Sequence, residues 1–334
     1  MSVTTKDIAR ICNVSRTTVN RAFTNTGRIS KETKELILKT ARELDYKPDL
    51  LASSVKKGKS SYIGVVVFDI KNQYFAQMLN AIEQEAEGRG YHVSISLHEK
   101  NPEKEREMLQ RMDGYRVEGI ILSPVSKSRE FSDFLKKLKA PVVIVGNRIA
   151  SDIPYVGIDE KSAAIEAVSS IAAHGYKKII FVCPPLVDEE SENIYSHLQR
   201  RDGFCEAVEK YKIDGDIIAE WDYLDKINSL ADELTPDTAF FCSGDIYALE
   251  IMKSLRMKHK KSGVDYGIMG FDNIDFLDYV VPRLSTIDNS IEAVASKAVD
   301  VLLSRIAGGV VEKETIIPYN IVEGDTLGLL LSER

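Results

Sequence analysis

From Tyr62 onward the chain alternates short apolar runs with stretches whose apolar residues recur at helical spacing. No other feature of the sequence constrains the fold as strongly. A strand that is apolar on every residue must be covered on both faces, the usual state of a parallel strand between helices. Ile63–Phe68 is such a run, and Phe75, Met78, Leu79, Ile82 and Ala86 then line one face of a helix. Further strands are expected at Val93–Leu97, Gly119–Leu122 and Val142–Val145, with helices around Glu103–Met112 and Phe131–Leu138 between them. A second series begins with a helix from Ala163 to Ala173, then strand Lys178–Cys183, helix Gln199–Tyr211 and strand Asp216–Glu220. It continues with a helix near Leu224–Leu234, strand Thr238–Cys242, helix Asp245–Lys258 and strand Tyr266–Phe271. Two such blocks predict an α/β protein with two doubly wound subdomains.

The first 60 residues have a different texture. VTTKDIARICNVSRTTVNRAF (Val3–Phe23) reads as two short helices joined by a tight turn. Thr4 caps the first, with Asp7 three residues on as an Asp variant of the capping box, and Ile8 and Ile11 share an apolar face beside Ala9 and Cys12. Asn13-Val14 breaks the pattern, and Ser15 caps a second helix that buries Val19, Ala22 and Phe23. Its outward residues are Arg16, Thr17, Asn20 and Arg21. Arg can form paired hydrogen bonds with guanine and Asn with adenine, so this face suits a major groove. Thr4, Thr5 and Ser15 are candidates for phosphate contact. Ser30 caps a third helix, Lys31–Leu44, and Pro48 closes the unit. The following DLLASSVKK (Asp49–Lys57) offers about two turns of helix, too short to persist in water unless something docks it.

Charge follows the same division. Residues 1–60 hold 13 Lys+Arg against 6 Asp+Glu, and the rest hold 31 against 45, so the net charge of -7 conceals a basic head on an acidic body. That distribution fits a polyanion-binding domain fused to something else. A chain of 334 residues has room for two or three domains. It has no apolar run near the ~18 residues of a membrane span and no N-terminal secretion pattern, so a cytoplasmic protein is expected. Cys12, Cys183, Cys205 and Cys242 are scattered, with no metal-ligand spacing, and are expected to be buried and reduced. No dinucleotide fingerprint, phosphate-binding loop, HExxH or GxSxG is present. No cofactor, metal or enzymatic activity is expected.

The N-terminal run, followed by RISKET and YKPDLLASSVKKGKSSYIGVVV, resembles the LacI/GalR family of bacterial repressors, and the likeness continues to about residue 325. The resemblance implies a helix-turn-helix headpiece (1–48), a hinge helix and linker (49–60) and an effector-binding and dimerisation core (61–334) of two periplasmic-binding-protein-like subdomains. The first would span about 61–161 and 290–320, the second about 162–289 and 321–334, the helix around Ile291–Ile306 returning to the first. Hinge residues Ala52, Val55 and Lys56 would join the DNA-contacting set. Val55 stands where the family usually wedges Leu between base pairs, and a shorter side chain implies a shallower bend. Lys56, Lys57 and Lys59 would add salt-sensitive affinity.

Ligands of open α/β sheets bind beyond the carboxyl ends of the strands. Family motifs there nominate Asp69, Tyr74 and Phe75 after the first strand, and Asn147 and Arg148 where sugar-binding relatives often carry Asp-Arg. They also nominate Arg200 in RRDGF, Asp245 in CSGDIYA and Asp272 in MGFDN. Tyr223 is a further aromatic wall, with Trp221 the competing choice, and His197 is expected to be a surface residue. The function these features imply is a homodimeric, sequence-specific DNA-binding repressor of carbohydrate-utilisation genes on a pseudo-palindromic operator, controlled allosterically by a sugar or sugar derivative. A nucleobase or a protein effector is the alternative, and a solute-binding protein or enzyme on the same core fold is remoter. The absence of a long heptad tail points to a dimer.

Overall fold

In the computed structural model the described residues are 3–24, 27–46, 60–149, 152–186 and 192–328. They fall into two units, Met1–Ser60 and Ser61–Arg334.

In the first unit, helices α1 (Thr5–Ile11), α2 (Arg16–Thr24) and α3 (Lys31–Glu43) enclose a small core. The backbone N–H and Oγ1 of Thr4 both donate to Asp7 Oδ2, at 3.0 and 2.7 Å. Ser15 Oγ accepts from Thr18 N at 3.1 Å and Ser30 Oγ from Thr33 N at 3.2 Å, so each following helix starts on a capped N–H. Asn13 reverses the chain between α1 and α2 in the left-handed region, with φ 51°, a conformation Asn tolerates better than most residues. Ile8, Val19 and Ile37 meet in the interior with Ala9, Ala22 and Ala41, and Phe23 packs on Tyr46 with ring centroids 5.4 Å apart. Ile11 does not share this core and is 54% exposed. At about 100° per residue, Cys12 lies much nearer than Ile11 to the face of Ile8 and Ala9. Cys12 therefore takes the interior place, its Sγ donating to Thr40 Oγ1 at 3.4 Å. The hinge positions Ala52, Val55 and Lys56 lie outside the described residues.

The second unit holds two six-stranded sheets. The first contains β1 (Tyr62–Val67), β2 (His92–Leu97), β3 (Gly119–Leu122), β4 (Val142–Val145), β5 (Tyr155–Gly157) and β11 (Glu314–Ile316). Its order is β11-β5-β4-β3-β1-β2, parallel throughout. The second contains β6 (Lys178–Cys183), β7 (Asp214–Ala219), β8 (Thr238–Cys242), β9 (Gly267–Asp272), β10 (Ser285–Asp288) and β12 (Asn320–Val322). Its order is β12-β10-β9-β8-β6-β7, with β12 alone antiparallel. The two orders are the same pattern, each reversing direction beside its first strand. Strands β1, β6, β8 and β9 are buried almost along their whole length, as continuous apolar runs require.

Helices α4 (Gln73–Gly88), α5 (Pro102–Gly114), α6 (Arg129–Lys137) and α11 (Ile291–Ile306) belong with the first sheet. Helices α7 (Glu160–Ala173), α8 (Tyr195–Tyr211), α9 (Tyr223–Leu230) and α10 (Asp245–Met257) belong with the second. The chain passes between the sheets after β5, after β10 and again between β11 and β12. Cys12, Cys183 and Cys242 are buried, but Cys205 is exposed on α8, whose inner face is occupied by Gly203, Phe204 and Ala207.

Helices α7 and α8 pack closely at Gly203. A Cβ on Gly203 would sit 2.4 Å from the Lys161 carbonyl oxygen and 2.9 Å from Ala164 Cβ. Gly203→Ala is therefore expected to force the helices apart and cost about 1–3 kcal/mol, the usual range for overpacking. Urea unfolding measures it, and an unchanged midpoint would show that the two helices separate freely.

Candidate functional site

Helix α2 presents Arg16, Thr17 and Arg21 exposed and Asn20 half-buried, on the side opposite Val19 and Ala22. The methylene stem of Arg21 lies over Gly27, where a Cβ would come within 3.3 Å of its Cδ. Thr5 is half-buried, and the Thr4 and Ser15 side chains are already engaged in capping. Their hydroxyls are tied to α1 and α2, so a phosphate at these helix starts would meet backbone N–H groups as much as side chains.

In the second unit, a cavity of about 390 Å³ lies where the carboxyl ends of the two sheets face each other. From the first sheet it is walled by Phe68 after β1, His98 and Lys100 after β2, Ser123 after β3 and Asn147 after β4. From the second sheet come Pro184 after β6, Trp221 after β7, Ser243 after β8 and Asp272 at the end of β9. Asn72 caps α4, its Oδ1 accepting from Tyr74 N at 3.1 Å, which brings Tyr74 and Phe75 into the lining from the first turn. Their rings meet edge-on at 5.0 Å.

Arg200 forms the polar floor. Its Nε donates to Glu160 Oε2 at 2.7 Å and its Nη1 to the Ser243 carbonyl at 2.6 Å, with Asp272 Oδ1 3.7 Å from Nη1. The guanidinium carbon lies 3.5 Å from the centre of the Phe271 ring. Burial works against the charge of Arg200, and Glu160 and Asp272 outweigh it, raising its pKa. Burial drives the Asp272 carboxyl well above the ordinary range, against the pull of Arg200. Asp272 holds φ 120° and receives Asn289 Nδ2 at 2.9 Å. Such a backbone is strained for a side-chain-bearing residue and is held by its surroundings.

Two sets of contacts cross the cavity between subdomains. Asn147 Nδ2 donates to the Asn193 carbonyl at 2.7 Å, and Asn147 Oδ1 accepts from Ser196 N at 3.1 Å. Asn193 Nδ2 in turn donates to the Arg148 carbonyl at 3.1 Å. Lys100 pairs with Glu192 at 3.3 Å, its Nζ 4.9 Å from the Phe68 ring centre and 5.1 Å from that of Trp221. An Asp at position 147 could not donate to Asn193, so Asn in that place ties the two walls together.

The structure brings Tyr74, Phe75, Asn147, Arg200 and Asp272 to one cavity and leaves four expected residues out of its lining. Asp69 turns back on its own loop, accepting from Lys71 N at 2.8 Å and Asn72 N at 2.9 Å. Arg148 points to Glu314 at 2.8 Å, joining the end of β4 to β11. Asp245 is fully buried beneath the floor, accepting from Thr286 Oγ1 at 2.6 Å and Ile274 N at 3.0 Å. Tyr223 is buried in the second subdomain with its hydroxyl donating to Glu250, and Trp221, 68% exposed, forms the wall instead. His197, expected at the surface, lines the cavity, and burial holds its imidazole neutral with the pKa pushed down to about 3. His98, Lys100, Glu160 and Glu192 carried no motif and escape sequence reasoning. Only their positions after strand ends or at a helix start could have marked them.

A helix-turn-helix head followed by two mostly parallel sheets around a polar cleft is the architecture of a DNA-binding regulator. Residues 4–49 match the family model for bacterial regulatory proteins, lacI family, and residues 168–327 that for a periplasmic binding protein-like domain. The chain belongs to the lacI family of bacterial regulatory proteins. It is 28% identical over 330 residues to catabolite control protein A of Priestia megaterium, covering 96% of this chain and 98% of that protein. It is 29% identical over 317 residues to the transcriptional repressor CytR of Escherichia coli strain K12, covering 92% and 91%. The crystal structure of the lac repressor dimer bound to operator and the anti-inducer ONPF superposes with TM-score 0.87 at 21% identity, covering 98% of this chain and 100% of that one. No helix among the described residues is long and apolar enough to cross a membrane.

Proposed function

We propose that the protein is a transcriptional repressor that binds a pseudo-palindromic operator as a homodimer. A sugar or sugar derivative bound between the subdomains controls it, and its targets are carbohydrate-utilisation genes. The observation that carries this reading is the cavity at the carboxyl ends of both sheets, floored by buried Arg200 and spanned by the Asn147–Asn193 and Lys100–Glu192 contacts. A ligand there exchanges cross-cleft contacts for its own and so changes the relation of the two subdomains, the two-state element that linkage requires. The lac repressor structure, an operator-bound dimer with an anti-inducer, supports the same arrangement. Coupling between effector and operator would be on the order of 1–3 kcal/mol.

A thermal-shift panel of sugars, sugar phosphates and nucleobases tests the effector class. A ligand at 100 times its dissociation constant adds ~2.7 kcal/mol of stability, which is easily seen. Hits confined to nucleobases would move the effector out of the carbohydrate class. On the DNA side, α2 supplies the reading face, with Thr4, Thr5 and Ser15 at the backbone. Arg16→Ala is expected to cost about 1–3 kcal/mol on the cognate operator and to relax specificity at one base pair. Loss that is uniform across all sequences, measured by titrating operator variants, would assign Arg16 to the phosphate backbone instead.

A further inference from the structure

His98 is the least expected residue of the cavity. Its ring is only 2% exposed, and Nε2 lies 3.0 Å from the Ser123 carbonyl oxygen. A carbonyl can only accept, so Nε2 carries the proton and Nδ1 is a bare acceptor. Nδ1 is buried, has no hydrogen-bond partner among the described residues, and belongs to a side chain that lines the cavity. Burial pushes the imidazole pKa down, which keeps the ring neutral. Across the cavity the hydroxyl of Ser243, 1% exposed, is also buried without a partner among the described residues. A buried acceptor left unpaired is costly, and a ligand that donates to it gains accordingly.

The charges of the lining point the same way. Its carboxylates are Glu160, Glu192, Glu250 and Asp272, and its cations are Lys71, Lys100 and Arg200. Arg200 is already held by Glu160 and the Ser243 carbonyl, and Lys100 by Glu192. Lys71 is exposed at the mouth. A phosphate dianion entering the floor could donate nothing to His98 Nδ1 and would lie against the Glu160 and Asp272 carboxyl groups. It would also need a cation that is not already matched by a carboxylate.

We infer that His98 Nδ1 reads a hydroxyl donor of the effector and that the site selects an uncharged, hydroxyl-bearing ring over its phosphorylated counterpart. The inference rests on the sugar reading above and narrows it: one ligand hydroxyl donates to His98 on the first wall, and others reach Ser243 and Asp272 on the second. Discrimination then comes from donors that the phosphorylated compound cannot supply at the charged end, the situation in which hydrogen-bonding sites reject a mismatched ligand most strongly.

The test uses the full-length protein with uncharged pentoses and hexoses and the matched 5- and 6-phosphates, followed by thermal shift and calorimetric titration. At least one uncharged sugar is expected to bind, with its phosphate at least about tenfold weaker. His98→Phe keeps a ring beside Phe68 and is expected to weaken that sugar at least about tenfold, with Ser243→Ala as the second variant should His98→Phe not fold. A phosphate that binds as tightly as its parent sugar overturns the selectivity while leaving the sugar reading intact. A folded His98→Phe protein that binds the sugar unchanged overturns the role of His98. Failure of every sugar and sugar phosphate to bind overturns the sugar reading and this inference with it.

Discussion

Arg200→Ala is expected to destabilise residues 61–334 by about 3–5 kcal/mol and to abolish the response to effector, because it strands buried carboxylates. The motif RRDGF nominated Arg200 as a ligand-binding residue. Its geometry gives it a second task. The guanidinium holds Glu160 at the start of α7, the Ser243 carbonyl at the end of β8 and Asp272 at the end of β9. Removing one partner from a buried ionic cluster costs more than the cluster contributes net, since the charges left behind have lost both water and counter-ion. Part of this cost is relieved because Asp272 is already pushed toward its protonated form by burial. Urea unfolding of the variant should show a lower midpoint with an unchanged slope. Operator titration with and without the effector then separates the two losses. A variant as stable as the parent would return Arg200 to a purely ligand-gripping role.

The second large effect depends on pH. Glu105 on α5 is fully buried, its two oxygens accepting from Val125 N at 2.9 Å and Ser126 N at 3.1 Å. Those N–H groups belong to the loop after β3, which supplies Ser123 and Val125 to the cavity. Burial pushes the Glu105 pKa up from 4.5 to about 7, with the Ser126 side chain and the two backbone N–H groups opposing the shift. The sign follows from proton uptake. The folded protein holds this proton more tightly than the unfolded chain, so the stability associated with Glu105 is fully present below about pH 4.5. It declines as pH rises and is lost above about 7. The loss amounts to about 3 kcal/mol across that window. Glu105→Gln, which keeps one of the two N–H bonds, is expected to remove this part of the slope. A stability profile between pH 4.5 and 8 that the substitution leaves unchanged would assign the slope to other buried acids such as Asp245 and Asp272.

The α/β class and the headpiece helices were legible because their signals are local. Ser15 and Ser30 sit where caps belong, and Ile63–Phe68 could only be a strand with both faces covered. Boundaries were less legible. Strand β7 begins at Asp214 rather than Asp216, and α8 at Tyr195 rather than Gln199, since neither end carries an apolar signature. The strands β5, β10, β11 and β12 were not expected at all. Each has only three or four residues and exists because a neighbouring strand pairs with it. Ile11 illustrates the same limit within one helix, where a single residue's rotation about the axis decided which apolar side chain went inside.

By itself the sequence determined the headpiece helices, the central strands and the helices between them, and which residue types stand at the ends of those strands, because caps, apolar runs and glycine positions act over a few residues. Motifs thus led to Arg200 and Asp272. Only the tertiary structure decided which strand-end side chains turn into the cavity and which turn away. Asp69 and Asp245 point to backbone N–H groups, Arg148 to Glu314, and Tyr223 to Glu250. His98 and Trp221 fill places that no motif marks. The physical reason is that a buried polar group goes where a partner is available. That partner comes from a distant part of the chain, whose position depends on the packing of both sheets at once.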